Sequence, residues 1–207
     1  MAAGDYDRSV FVNCPFDAEF QPIRDAIVFS IIDCGFIARC ALESANSGEV
    51  RIEKIAKIIR DCRFGVHDIS RTELSANTGL PRFNMPFELG LDFGCRLFGS
   101  DLRKGKRCLV LEAEPYRYKA ALSDLSGSDI ESHGNEPYRV VAIVRNWLKN
   151  VCPMKAAGPA KIEGAFTDFM AQNYDNLTAK GFSPRDIEAL PVPELIECME
   201  DWIAANT

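Results

Sequence analysis

Short apolar runs alternate with longer amphipathic segments along the first half of the chain. The apolar runs cover residues 8–13, 36–42, 63–69 and 107–111. Their length and their content of Val, Ile and Phe predict buried β-strands. Apolar residues recur at helical spacing over residues 17–34, over residues 49–62 and from residue 84 onward. The pattern therefore predicts strands and helices in regular alternation.

Strands that alternate with helices at this spacing imply right-handed crossovers and a parallel sheet. We therefore expect an α/β fold with a doubly wound parallel sheet of four to five strands, similar to the flavodoxin-like architecture. Residues 123–137 are predicted as a polar loop, and helical patterns follow over residues 138–151, over residues 162–174 and in two segments headed by Ser183 and Pro191. The predicted organisation is an α/β domain over residues 1–122 and a helical extension packed on it over residues 123–207.

In a doubly wound sheet, ligands bind outside the carboxyl ends of the strands. The polar loops that follow the predicted strands therefore supply the candidate site. Its predicted catalytic residues are Glu88 and Asp68. Its predicted binding residues are Asn13, Cys14, Pro15, Phe16, Arg51, Arg71, Arg82 and Asn84.

Glu88 lies in an otherwise apolar stretch, residues 80–94. Asn84 is a suitable N-cap residue, which predicts that Glu88 sits in the first turn of a helix. The predicted core face of this helix consists of Phe87, Leu91, Cys95 and Phe98. The positive end of the helix dipole would keep the carboxylate ionised, as a nucleophile or an electrostatic stabiliser requires. The alternative is that Glu88 only complements the dipole, which favours acidic residues in first turns.

Asp68 ends the third predicted strand and is the second carboxylate of the candidate site. Two carboxylates can divide the labour of glycoside cleavage between a nucleophile and an acid or hydroxyl ligand. Asp68 is at least as well explained as a turn residue bound by backbone N–H groups. Arg51, Arg71 and Arg82 can hold a phosphate, or can form surface salt bridges.

Cys14 and His67 lie near the ends of neighbouring predicted strands, where they could form a thiolate pair. We expect Cys14 simply to be packed at the strand end, because no third residue other than Asp68 is placed to orient the histidine. His133 lies in the predicted polar loop and is expected to be solvated.

The composition excludes several classes of protein. A net charge of −6 with interspersed acidic and basic residues disfavours a duplex nucleic-acid binder. Eight cysteines without a C-x-x-C pair, and only two histidines, predict reduced thiols and no metal site. The N-terminus lacks the pattern of a signal peptide, and no apolar run is long enough to span a bilayer. We therefore expect a cytoplasmic protein without membrane contact.

These motifs, in this order, resemble the nucleoside 2-deoxyribosyltransferases and their TIR-like relatives. The resemblance covers about residues 8–114 and is carried by Cys14-Pro-Phe, Asp68, Phe87-Glu88-Leu-Gly90 and Gly105-Lys106. It implies that Glu88 attacks or stabilises the anomeric carbon of an N-glycoside, and that Asp68 is the family's acidic residue at the preceding strand. It also implies that Asn13, Asn77 or Asn84 holds sugar hydroxyls. The whole chain is similar to bacterial TIR-like or transferase-like proteins, of which some relatives deplete nucleotides in defence against phage.

The expected function is cleavage or transfer of an N-glycosidic bond in a nucleoside or nucleotide, with NAD as one candidate substrate and with no cofactor. The partner is then a small molecule, and self-association into a homo-oligomer stays open. The alternative is a non-catalytic nucleotide-sensing or TIR-like assembly module in which Glu88 only caps or packs. A receiver-type phosphoacceptor is excluded, because no acidic pair follows the first strand and no lysine closes the fourth.

Overall fold

Five parallel strands form one sheet in the computed structural model, which describes residues 3–43, 48–71 and 79–206. The strands are β1 (Ser9–Asn13), β2 (Ile37–Cys40), β3 (Phe64–Asp68), β4 (Arg107–Glu112) and β5 (Ile130–Ser132). Their order across the sheet is β2-β1-β3-β4-β5, and every neighbouring pair is parallel. This is the flavodoxin-like order, so the predicted doubly wound sheet is confirmed.

Two layers of helices cover the sheet. The helices are α1 (Ala3–Tyr6), α2 (Gln21–Asp33), α3 (Arg51–Asp61), α4 (Asn84–Phe98), α5 (Asp101–Lys104), α6 (Pro137–Val151), α7 (Pro159–Ala179), α8 (Pro184–Glu188) and α9 (Val192–Asn206). Helices α2, α6, α7 and α9 share one large apolar core with the sheet. Helices α3 and α4 pack together near the other face.

The strand residues alternate between these two layers, as the period of two in a β-strand requires. Val10, Phe64 and Val66 belong to the large core beneath α2 and α6. Phe11 faces α3, where it packs with Ile55 and Ile59. Gly65 and His67 have the same parity in the register as Phe11, so they face the side that carries α3 and α4.

The C-terminal helices pack on α2 through aromatic contacts. Phe29 of α2 stacks with Phe169 of α7 and also contacts Trp202 of α9, with ring centroids 5.5 and 6.0 Å apart.

The predicted loop 123–137 contains a 3₁₀ turn, Ser123–Leu125, as well as β5. The sheet therefore continues past the predicted boundary at residue 122, and its fifth strand comes from the segment assigned to the helical extension.

Glycine allows the tight passage from α2 into β2. Gly35 has a φ of +81°, a left-handed conformation that residues with a side chain rarely adopt. Its carbonyl accepts a hydrogen bond of 2.9 Å from Nε of Arg8, which fixes the turn beside the start of β1.

All eight cysteines are free thiols, and four of them are buried. Among the helices that the structure describes, none combines the length and the apolar character needed to cross a bilayer.

Candidate functional site

A cavity of about 460 Å³ opens where β1 ends and where α3 and α4 begin. It is lined by Asn13, Cys14, Pro15, Phe16, Asp17, Arg51, Arg82, Asn84, Met85 and Glu88. The structure therefore brings eight of the ten predicted site residues to one place, and adds Asp17 and Met85. The two predicted residues that do not line the cavity are Asp68 and Arg71.

Helix α4 carries Glu88 into this cavity, but in a different register from the one predicted. The residue before the helix is Phe83, which makes no side-chain capping bond, so the prediction of Asn84 as N-cap is wrong. Asn84 is instead the first helical residue, which places Glu88 in the second turn. The prediction of a first-turn glutamate is therefore also wrong.

The buried face of α4 consists of Met85, Glu88, Leu89 and Asp92. These positions follow the helical period as well as the predicted set does. Phe87 and Phe98, which were predicted to be in the core, are exposed. Asp92 turns inward because His67 of β3 and Lys106, directly before β4, offer it polar partners. Glu88 lies one helical turn earlier and therefore shares this inward face, which leaves the phenylalanines outside.

The electrostatics of Glu88 also differ from the expectation. Burial raises the pKa of Glu88 above its usual value, and the positive charge of nearby Arg51 only partly offsets this effect. The net direction of this pKa shift is therefore opposite to the one that the helix dipole alone would produce. A desolvated carboxylate of raised pKa is a stronger base and nucleophile than a solvated one once it is ionised.

Asn13 joins the end of β1 to the start of α4. Its amide nitrogen donates to the carbonyl of Met85 at 2.9 Å and to Nδ1 of His67 at 3.0 Å. Both amide hydrogens are thus used within the protein. The side-chain atom that Asn13 can offer to a ligand in the cavity is its carbonyl oxygen, a hydrogen-bond acceptor.

His67 links Asn13 to a buried ionic cluster formed by Asp92 and Lys106. Because its Nδ1 accepts from Asn13, its Nε2 carries the proton and donates to Oδ2 of Asp92 at 3.0 Å. The other carboxylate oxygen of Asp92 lies 3.1 Å from Nζ of Lys106, and all three side chains are fully buried. Lys106 also donates to the carbonyls of Ile59 and Cys62.

The charge of Asp92 is stabilised by these partners. Burial alone would raise the pKa of Asp92, but the hydrogen bond from His67 and the positive charge of Lys106 outweigh it and lower the pKa overall. Gly65 is required beside the cluster, because a Cβ atom there would lie 2.5 Å from Oδ2 of Asp92 and 2.6 Å from Nε2 of His67. The cluster thus fixes α4, and with it Glu88, on the sheet.

The same cluster contains three potential metal ligands within the described part of the chain, namely His67, Asp92 and Cys108. Their ligand atoms are already in contact with one another, because Oδ2 of Asp92 accepts from Nε2 of His67 at 3.0 Å and from Sγ of Cys108 at 3.5 Å. Burial and the neighbouring Asp92 raise the pKa of the Cys108 thiol far above its usual range, which opposes the thiolate that a metal needs. A divalent cation would also be buried beside the ammonium of Lys106. The residues therefore do not fit a metal ion.

Asp68 belongs to a second buried cluster instead of the cavity. One of its carboxylate oxygens accepts from the backbone N–H of Ser70 at 2.9 Å, which is the turn role that the sequence left open. The other oxygen lies 2.9 Å from Nε2 of His133. The Nδ1 of His133 accepts from the backbone N–H of Asn135 at 3.0 Å, so Nε2 carries the proton and donates to Asp68.

His133 is therefore fully buried, and the expectation of a solvated histidine is wrong. It comes just after β5, the strand that the sequence pattern did not reveal. Because β5 pairs with β4, it brings His133 to the carboxyl end of the sheet beside Asp68. The expected role of Asp68 as a second cavity carboxylate does not follow from this geometry.

Asp17 is the second carboxylate of the cavity; the sequence analysis placed it at this edge of the sheet but gave it no role. Oδ1 of Asp17 lies 2.8 Å from a guanidinium nitrogen of Arg71, and Oδ2 lies 2.9 Å from one of Arg82. Partial burial raises its pKa, but the hydrogen bond and charge of Arg71 outweigh this, so the pKa is lowered overall. The neighbours of Asp17 thus favour its ionised form, whereas burial disfavours the ionised form of Glu88.

Arg51 differs from these two arginines. It is the first residue of α3 and lines the cavity, and it forms no ion pair within 4 Å with any residue that the structure describes. Its guanidinium is therefore available to an anionic group of a ligand. Arg71, in contrast, is engaged by both Asp17 and Glu19.

Cys14 lines the cavity as a neutral thiol. Burial, aided by the negative charge of Asp68, raises the pKa of Cys14 well above its usual value. His67 is bound to Asn13 and Asp92, so the thiolate pair considered in the sequence analysis is not formed. Asn77, expected as a hydroxyl ligand, lies outside the described residues.

Comparison of the chain with models of protein families, with curated proteins and with solved structures found no match.

Proposed function

We propose that this chain cleaves or transfers the N-glycosidic bond of a nucleoside or nucleotide, with Glu88 as the nucleophile. The observation that supports the proposal best is the position of Glu88, a buried carboxylate of raised pKa that lines an open cavity at the ligand-binding edge of the sheet. A cavity of about 460 Å³ is of the size that small-molecule ligands occupy.

The reaction needs a carboxylate that attacks the anomeric carbon. Glu88 forms an ester bond to that carbon while the C–N bond breaks, and the bonding electrons leave with the base. A proton reaches the departing base from water, and water or a second base then releases the sugar from Glu88. The desolvated environment of Glu88 favours this attack, because the bond to carbon removes a charge that burial destabilises.

Asp17 and Asn13 are suited to holding the sugar. Asp17 is ionised and Asn13 presents a carbonyl oxygen, so both accept hydrogen bonds from hydroxyl groups. Asp68 does not line the cavity, so we assign it a positioning role beneath the end of β3 instead of contact with substrate. Arg51 is available for a phosphate, which favours a nucleotide and keeps NAD as one candidate.

A panel of 2′-deoxynucleosides, nucleotides and NAD, with released base quantified by chromatography, tests the proposal. The wild-type protein is expected to release free base from at least one member of the panel. Glu88→Gln keeps the shape and removes the nucleophile, so its rate should fall by more than about a hundredfold. Glu53→Gln, on the exposed side of α3, is the matched control and should retain the wild-type rate.

Equal release of base by the wild-type protein and Glu88→Gln would refute the assignment. Intact-mass analysis after rapid quenching gives a second readout, since a covalent intermediate adds the mass of the sugar to the wild-type protein. That mass must be absent from Glu88→Gln.

The second candidate function is a non-catalytic nucleotide-binding module. It is favoured by the absence of a suitable proton donor among the described acidic residues near Glu88. Asp68 lies in a closed cluster with His133, and Asp17 is held ionised by its arginine partners. Neither is therefore placed to give a proton to a departing base. In this case calorimetry should detect nucleotide binding by the wild-type protein and by Glu88→Gln alike. The nucleotide should be recovered unchanged after prolonged incubation.

A further inference from the structure

The outer face of helix α4 carries an apolar surface that nothing in the catalytic proposal uses. We call it the α4 stripe, and it consists of Phe83, Phe87, Gly90, Gly94, Leu97 and Phe98. Phe83 directly precedes the helix, and Phe87, Gly90, Gly94 and Leu97 follow at intervals of three or four residues. Phe98 is adjacent to Leu97 and comes four residues after Gly94, so all six lie along one side. The stripe runs the full length of the helix, on the side away from Glu88 and Asp92.

The phenylalanines of the stripe are largely exposed to water. The exposed fractions of Phe83, Phe87 and Phe98 are 63%, 57% and 89%. With about 200 Å² for each phenylalanine, these three side chains alone leave about 400 Å² of apolar surface in water. That is half of the roughly 800 Å² that one partner contributes to a standard protein interface, and Leu97 adds to it.

The centre of the stripe is open. A Cβ atom built at Gly90 or at Gly94 would meet no other atom within 4 Å. The helix therefore has a shallow depression of about one turn, with bulky aromatic residues on both sides of it. Such a surface allows the backbone of another helix to approach closely.

We propose that the α4 stripe is the interface of a homodimer, in which α4 packs antiparallel on α4 of a second copy. A twofold axis beside Gly90 pairs each position with one in the other copy, so that Phe87 lies over Gly94 and Phe83 lies against Phe98. The large residues of one copy thus meet the small residues or the aromatic rings of the other. This self-complementarity is what an isologous interface requires.

The charge pattern supports a second copy as the occupant. No residue of the stripe is charged, so the two stripes can come together without removing a charge from water. A charged patch on a different partner would find no complement here. The proposal does not depend on the catalytic one, although Phe83 lies between Arg82 and Asn84 of the cavity, so the second copy would border its rim.

Light scattering coupled to size-exclusion chromatography, across a series of protein concentrations, tests the dimer. The wild-type protein should have twice the monomer mass. Gly94→Glu places a charged side chain where Phe87 of the other copy would lie, and Phe98→Glu removes the most exposed ring, so both variants should have the monomer mass. Neither change disturbs the fold, since the space at Gly94 is open and Phe98 is almost fully exposed.

Gly164→Glu is the matched control. Gly164 is a glycine inside α7 that is equally open, so this variant tests the effect of the same substitution away from the stripe and should stay dimeric. A wild-type protein of monomer mass at all concentrations would overturn the proposal, as would a Gly94→Glu variant that remains a dimer. A monomer that sediments with phosphatidylcholine vesicles would also overturn it, and would assign the stripe to a lipid surface.

Discussion

Replacing Asp92 with asparagine tests whether the buried ionic cluster holds α4 on the sheet. Asn keeps the shape of the side chain and can still accept a hydrogen bond from His67. It cannot balance the charge of Lys106, which lies 3.1 Å away and is fully buried. The substitution therefore leaves a buried ammonium group without its anion.

The size of the effect follows from this change. Removing one partner of a buried ion pair costs about 3–5 kcal/mol. The carbonyls of Ile59 and Cys62 still accept from Lys106, so we expect the lower end of this range, about 3 kcal/mol. With a urea dependence of about 3 kcal/mol per molar, the midpoint of unfolding should fall by about 1 M.

Equilibrium unfolding in urea, followed by the fluorescence of Trp147 and Trp202, measures this shift. Asp101→Asn is the control, because Asp101 forms an exposed ion pair with Lys104 and its loss should barely move the midpoint. Adding Lys106→Met to Asp92→Asn removes the unpaired charge and should recover part of the lost stability. The reasoning is refuted if Asp92→Asn and Asp101→Asn shift the midpoint equally.

The pH dependence of the Asp92 effect has a definite sign. Because the pKa of Asp92 is lowered in the folded state, its stabilisation is complete above the unfolded value of 3.8 and is lost as pH falls toward the folded pKa. The difference between the wild-type protein and Asp92→Asn should therefore stay constant from neutral pH down to about that value and shrink below it.

Three further substitutions probe the site and the core. Burial raises the pKa of Glu88 above its unfolded value of 4.5, so ionisation of this group destabilises the fold as pH rises through the folded pKa. Glu88→Gln removes this ionisation. In the same urea assay the variant should therefore be more stable than the wild-type protein at neutral and alkaline pH. Gly65→Ala forces a Cβ atom against Asp92 and His67 and should lower the free energy of unfolding by about 1–3 kcal/mol, as measured by thermal melts; no change would mean that the cluster moves aside freely. Phe169→Ala opens a cavity between α2 and the C-terminal helices and should cost about 3–5 kcal/mol in a single unfolding transition, whereas two separate transitions would show that those helices unfold by themselves.

Most of the sheet could be predicted from the sequence because β1 and β4 contain uninterrupted apolar residues. The continuous apolar runs at residues 10–12 and 108–111 stand out between polar segments, and the alternation of such runs with helices determines the topology. β5 could not be predicted in this way. It is a short edge strand, Ile130–Ser132, with only partly buried or exposed residues, so its hydrophobic signal is weak.

The location of the candidate site could be predicted from the sequence, but the roles of several of its residues could not. The rule that ligands bind at the carboxyl edge of the sheet selected Asn13, Arg51 and Glu88 from the loops alone. The inward face of α4 was not predictable in the same way, because Asp92 is charged and was not counted as a core residue. Only the position of Lys106, directly before β4, shows that a buried cation compensates it.

Glu88 and Asp92 stand one helical turn apart on the inward face of α4. The ion pair of Asp92 therefore fixes the axial position of α4 on the sheet. Sliding the helix by a single turn would separate Asp92 from Lys106 and would also move Glu88 out of its cavity. Loss of the ion pair between Asp92 and Lys106 should first alter the position of Glu88, before the strands of the sheet separate. A substitution deep in the core, far from any ligand, can in this way impair the carboxylate at the cavity while the fold persists.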